Sequence, residues 1–121
     1  MQGNTYRETL KNKMDQYVHF IYGITKSFPK EEIFGSVSQI RRAGLSVVLN
    51  YTEGYARRKP LVLLNFYEIA YGSLQESKYL LLFAKDEKYI PEDIYKKGEI
   101  MANEIGAMLW KEIQSIEKSI K

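Results

Sequence analysis

Apolar residues recur along this chain at intervals of three and four. Tyr6, Leu10, Met14, Tyr17, Ile21, Ile24 and Phe28 follow one another at that spacing, which is the period of a helix face and not the alternation of a strand. It predicts a first helix over 5–28, with Lys11, Asn12, Asp15 and Gln16 off the seam. Pro29 ends it, because proline disfavours helical geometry at the residue before it. The same proline suits the first turn of a second helix, where no amide donor is needed. That helix is expected to run unbroken from Phe28 to Arg58. At about 100° per residue, Val37, Ile40, Gly44, Val48, Tyr51 and Tyr55 share one side of it, with Ile33 beside them. Glu31 and Glu32 then fall in its first turn, where the helix dipole favours them.

Pro60 opens a third helix, with Phe66, Ile69, Ala70, Ser73, Leu74, Ser77, Leu81 and Ala84 at bundle spacing. Its tail, Tyr79–Ala84, is apolar on every side, which calls for more than one packing partner. Asp86, Glu87 and Lys88 read as a turn. Pro91, Glu92 and Asp93 open a fourth helix, whose seam is Ile94, Met101, Ile105, Met108, Leu109, Ile113, Ile116 and Ile120. Four helices of roughly 24–30 residues joined by turns of about 2–6 are antiparallel neighbours. The expected fold is therefore all-α, an antiparallel up-down-up-down four-helix bundle, as one domain over 1–121. Its second and third helices carry more apolar surface than one internal seam uses, so self-association is expected. Gly44 beside Ala43 and Gly72 beside Ser73 predict a close approach of those two helices, since each glycine costs about 1 kcal/mol against alanine in a helix interior.

Opposite the apolar side of the second helix runs a line of short hydrogen-bonding residues: Gln39, Ser46, Asn50, Glu53 and Arg57. With Arg41, Arg42, Ser73 and Glu76 these could form a buried network that fixes register between helices or subunits; a solvated polar stripe explains the same pattern. Charge adds a second feature. Eighteen Lys/Arg against fifteen Asp/Glu give 18 − 15 = +3. Residues 1–60 carry 10 − 5 = +5 and residues 61–121 carry 8 − 10 = −2. Arg57, Arg58 and Lys59 close the second helix, and Arg7, Lys11 and Lys13 belong to the same basic half. An anionic partner suits this bias, although dipole compensation at a helix C-terminus also accounts for the triplet.

Catalytic chemistry finds little to work with. The one histidine, His19, stands between Val18 and Phe20 with no nucleophile or carboxylate set in view. There is no Glu-x-x-His pair of the di-iron type, and no GxxxxGK or GxGxxG run. Absent cysteines remove disulfides and thiolate metal sites and fit a reducing, cytoplasmic setting. No catalytic residue, metal or cofactor is expected, nor any membrane association. MQGNTYRETL has no apolar core of a signal peptide, and no apolar run reaches the ~18 residues of a membrane span.

Several short motifs together carry a family likeness. Phe28, Pro29, Glu31 and Glu32 are followed by Ser38, Gln39, Arg41, Arg42 and Ala43, then Asn50, Glu53 and Gly54, then Ile69, Ala70, Gly72, Ser73 and Glu76. Over nearly the whole chain this resembles the four-helix-bundle family first known from intervening sequences in bacterial 23S ribosomal RNA genes. Leu49 departs from the family's serine, Tyr51-Thr52 from its Ile-Ala, and Lys59-Pro60 from its Ser/Thr helix cap. The resemblance implies a non-enzymatic bundle that assembles as a ring-shaped homopentamer. More distantly, the chain is similar to the accessory variability protein of diversity-generating retroelements, a basic pentamer that binds nucleic acid and a reverse transcriptase.

Two functions follow as expectations. One is a homo-oligomer that binds structured RNA or DNA through Arg57, Arg58, Lys59, Arg7, Lys11 and Lys13. The other is an oligomeric scaffold or protein-interaction module without nucleic acid.

Overall fold

The computed structural model describes residues 5–120, and these form four helices in a bundle. Helix α1 spans Tyr6–Thr25. Thr5 caps it: its hydroxyl accepts from the Glu8 amide, and the Glu8 carboxylate accepts from the Thr5 amide. This reciprocal pair satisfies two amides that a helix start otherwise leaves open. Helices α2, Ser36–Tyr55, α3, Pro60–Asp86, and α4, Glu92–Ile120, follow. Each helix packs against its two neighbours in chain order, and α4 closes the ring against α1. Contacts at matched levels show that the neighbours are antiparallel: Ser46 meets Ser73 while Tyr51 stacks on Tyr67, and Tyr6 reaches the Met108 carbonyl while Lys13 reaches Glu104.

The expected second helix is broken at its start. Lys30–Glu32 form a single 3-10 turn, and α2 begins only at Ser36. The reason is a side-chain cap. Glu32 Oε1 accepts from the Ser36 amide (3.2 Å) and hydroxyl (2.5 Å). A Cβ at position 35 would stand 3.3 Å from that same oxygen, so glycine leaves room for the carboxylate to fold over the helix start. Glu32 therefore sits before the helix and caps it, where the spacing placed it in the first turn. Ile33 and Phe34 fall on the resulting loop and are exposed, Phe34 almost fully at 91%. At the other end of the helix Tyr55 is exposed as well, and Gly54 takes the inward position.

The core is a single layer of facing seams. Leu10, Met14, Tyr17 and Ile21 of α1 meet Ile40, Val47 and Tyr51 of α2, Ala70, Leu74 and Leu81 of α3, and Ile105, Leu109 and Ile113 of α4. Burying one such leucine or isoleucine contributes about 1.5–3 kcal/mol. Tyr17 and Ser77 share a 2.7 Å hydrogen bond across the middle of the bundle, and Ser77 donates onward to the Leu74 carbonyl, so both hydroxyls are satisfied in the core. Burial pushes the Tyr17 hydroxyl pKa up to about 12, against a lowering by the Ser77 bond. Phe28, Phe83 and Tyr89 close the bundle where α1 ends.

The glycines are used differently from the expectation. A Cβ at Gly44 would stand 2.9 Å from Ile21 Cδ1, so this glycine fits α2 against α1, not α3. Gly72 faces open space. The close approach of α2 and α3 is made by Gly54, where a Cβ would stand 2.9 Å from Phe66 Cβ and from the Tyr67 ring. Away from the core, α3 carries a second row at heptad spacing, Ile69, Gly72, Glu76 and Tyr79, all exposed. Leu49 of α2 is exposed at the level of Ile69. The apolar run Tyr79–Ala84 accordingly divides: Leu81 and Ala84 enter the core, and Tyr79 remains 64% exposed.

Candidate functional site

The antiparallel order gathers the start of α1, the end of α2, the start of α3 and the end of α4 at one end of the bundle. Five of the six basic candidate residues lie at or near that end, and they differ in what they can offer a ligand. Arg7 is turned inward: its guanidinium stacks 3.4 Å from the centre of the Tyr55 ring and 5.7 Å from that of Tyr51. Its Nε is buried without a hydrogen-bond partner among the described residues. Arg57 pairs with Glu53 one turn earlier on α2 and lies over the Phe66 ring. Lys13, further down α1, bridges to Glu104 of α4 at 3.3 Å. Lys11 is half-buried on α1. Arg58 and Lys59 are exposed and make no ion pair or side-chain hydrogen bond among the described residues.

Helix boundaries change the meaning of the basic triplet. Helix α2 ends at Tyr55 and has no basic residue in its last turn. Lys59 is the N-cap of α3, whose first residue is Pro60, and no side chain caps that helix. The positive end of a helix dipole disfavours a cation, by about 0.3–1 kcal/mol at an exposed site. Dipole compensation therefore does not account for Lys59. The cation and the dipole act together there, and both favour an anion.

Beneath this end lies a cluster that the hydrophobic spacing did not single out. Tyr51 donates to Glu112 Oε1 at 2.6 Å, and the Tyr51 and Tyr67 rings stack with centroids 4.7 Å apart. Glu112 is half-buried, and burial raises its carboxyl above the ordinary value, against the lowering effects of the Tyr51 hydrogen bond and of Arg7. Burial also pushes the Tyr51 hydroxyl up, as does its bond to the carboxylate, and it pushes Tyr67 up to about 12. These tyrosines are neutral donors throughout the physiological range. The sequence did carry a signal: Glu112 lies four residues from both Met108 and Ile116, so it interrupts the α4 seam with a charge.

The polar line of α2 does not make one network within the chain. Ser46 and Ser73 bond at 2.7 Å between α2 and α3, and Asn50 Nδ2 donates to the Ser46 carbonyl and hydroxyl at 2.9 Å. Arg41 turns the other way, donating from Nε to Thr25 Oγ1 of α1 at 2.8 Å and lying over Tyr22. Arg42 pairs with Gln39 on the surface. Glu53 meets Arg57 just beyond the end of its helix, and Glu76 is exposed with no ion pair among the described residues. The expected pairing of these two carboxylates with Arg41 and Arg42 is thus absent within one subunit: Arg41 sits on the side of α2 that faces α1, and Arg42, Glu53 and Glu76 face outward.

His19 is exposed and lies 3.5 Å from Asp15. Among the described residues there is no group of three His, Cys, Asp or Glu placed to hold a metal ion. No helix there is long and apolar enough to cross a membrane.

Comparison with known proteins agrees with this architecture. The profile of the 23S rRNA-intervening sequence protein family matches residues 9–111. A crystal structure from Bacteroides thetaiotaomicron, of a protein of unknown function from the S23 ribosomal protein family, superposes with a TM-score of 0.80 at 24% identity, covering 86% of this chain and 97% of that one. That likeness speaks to the fold. No curated protein sequence matches this chain.

Proposed function

We propose, for a chain that belongs to the 23S rRNA-intervening sequence protein family, a non-enzymatic role as a homo-oligomer, a pentamer, that binds the phosphates of RNA or DNA at its basic bundle end. The observation that carries the binding is the placement of Arg58 and Lys59 at the positive end of α3, exposed and without an ion pair among the described residues. Support for self-association comes from Ile69 and Tyr79 of the outward row on α3 and from Leu49 beside Ile69, large apolar residues left exposed of the kind that mark an interaction surface. Assembly multiplies charge: five copies at +3 carry 5 × 3 = +15, and clustered charge raises both encounter rate and affinity for a polyanion. Such contacts position a backbone and do not read bases. Binding is therefore sequence-tolerant and weakens steeply with salt.

One observation favours an oligomeric scaffold without nucleic acid. Arg7, Lys13 and Arg57 already have partners inside the subunit, which leaves Arg58 and Lys59 to do most of the work. Titrating a structured RNA at low and at physiological salt, with wild type beside Arg58→Glu/Lys59→Glu, decides between them. Salt-sensitive binding that the double variant loses supports the proposal. No binding at low salt, or equal binding by the variant, leaves the scaffold.

A further inference from the structure

Next to the cations the surface changes character. Lys59, Pro60, Leu61, Val62 and Ile120 line a recess of about 450 Å³. Arg57, Arg58, Lys59 and Val62 line a hollow of about 210 Å³. The two share Lys59 and Val62 and lie side by side, giving a shallow cleft with a cationic side and an apolar floor. Leu61 is 67% exposed on that floor, beside Val62 at 39% and Ile120 at 38%, a contiguous apolar patch of the kind that marks an interaction site.

A duplex has no use for such a floor. It offers a protein its sugar–phosphate surface and its groove edges, while the faces of its bases are stacked inside. An unpaired strand is different: each phosphate comes with a flat, largely apolar base free to leave water, and proteins that take single strands combine cations with side chains, usually aromatic, that cover those bases; here the cover is aliphatic and offers burial in place of ring stacking. We infer that this cleft binds unpaired nucleotides in preference to duplex, with phosphate on Arg58 and Lys59 and the base against Leu61, Val62 and Ile120. The inference rests on the nucleic-acid reading above and names its ligand class.

A peptide with acidic and apolar residues has similar chemistry but fits this place poorly. Among the described residues the bundle end has no free strand edge to extend. A docked helix needs apolar anchors over about two turns, or ~10 Å, and this floor is made by three consecutive residues and one helix end.

The test uses the full chain and a structureless single-stranded RNA of about twelve nucleotides, within the range such sites cover, compared by fluorescence anisotropy at low salt with a blunt duplex of the same sequence. Wild type is expected to hold the single strand about tenfold more tightly than the duplex, the scale of roughly 55 Å² of apolar surface leaving water. Leu61→Ser/Ile120→Ser, both at exposed positions, is expected to remove that advantage and leave duplex binding unchanged. Arg58→Glu/Lys59→Glu is expected to weaken both. Equal binding of the two forms by wild type overturns the preference while the nucleic-acid reading stands, and this comparison needs no variant to fold. Absence of binding to either form overturns that reading itself. If neither form binds but a soluble peptide of alternating Glu and Leu does, the cleft is a peptide dock and both conclusions fall.

Discussion

Tyr51 of α2 donates its hydroxyl to Glu112 of α4 at 2.6 Å, which links two helices that lie diagonally across the bundle, with no Cα atoms within 8 Å of each other. The Tyr51 ring is fully buried and stacked on Tyr67, so the hydroxyl has one direction to point. The carboxylate in turn sits in an apolar seam with Arg7 as its nearby cation.

Tyr51→Phe should therefore destabilise the fold. A hydrogen bond to a charged group is worth about 1.5–3 kcal/mol, and its loss leaves Glu112 short of a donor. Urea unfolding measures this as a lower midpoint at unchanged slope. Tyr17→Phe should cost less, about 1 kcal/mol, because Ser77 keeps the Leu74 carbonyl as its acceptor.

Glu112 makes stability depend on pH. Its folded pKa is raised above the unfolded value. The folded state therefore binds the proton more tightly, and this contribution is fully present below the unfolded pKa of about 4.5 and lost as pH rises through the folded pKa. Wild type should gain stability relative to Glu112→Gln as pH falls from 7 towards 4.5. Parallel urea titrations at several pH values read the difference, and a constant offset would show that the carboxyl is not perturbed.

Two glycines should respond with opposite sign. Gly54→Ala places a methyl 2.9 Å from Phe66 and Tyr67, and forcing α2 away from α3 costs about 1–3 kcal/mol. Gly72→Ala meets nothing and should stabilise the subunit by about 0.4–1 kcal/mol through helix propensity. Thermal unfolding compares them. If Gly72→Ala instead lowers the subunit number seen by native mass spectrometry, the outward row of α3 is packed against a second copy.

Glu53→Ala removes an exposed pair between the last turn of α2 and Arg57 just beyond it. Such i,i+4 pairs contribute about 0.3–0.5 kcal/mol, so its unfolding midpoint should barely move. A loss of several kcal/mol, present only at concentrations where the protein is assembled, would place Glu53 in a contact between subunits.

Element boundaries were legible because their causes are local. Pro60 and Pro91 announce helix starts wherever the chain goes, and the Leu10–Met14–Tyr17–Ile21 interval is helical in any context. The start of α2 was missed although its cause is also local: a glutamate reaching four residues forward competes with helix continuation, and hydrophobic spacing does not register side-chain caps.

By itself the sequence determined the four helices, their antiparallel order and most of the core seams, since period, proline and short turns act over a few residues. Only the tertiary structure decided which neighbour each face meets. It turned Gly44 towards α1 and left Gly72 open, sent Arg41 to Thr25 and Glu53 to Arg57, and drew Glu112 to Tyr51. It also set the apolar recess of Leu61, Val62 and Ile120 beside Lys59. Those outcomes depend on how far each helix is rotated about its own axis, and that rotation is set by the fit of all four seams at once.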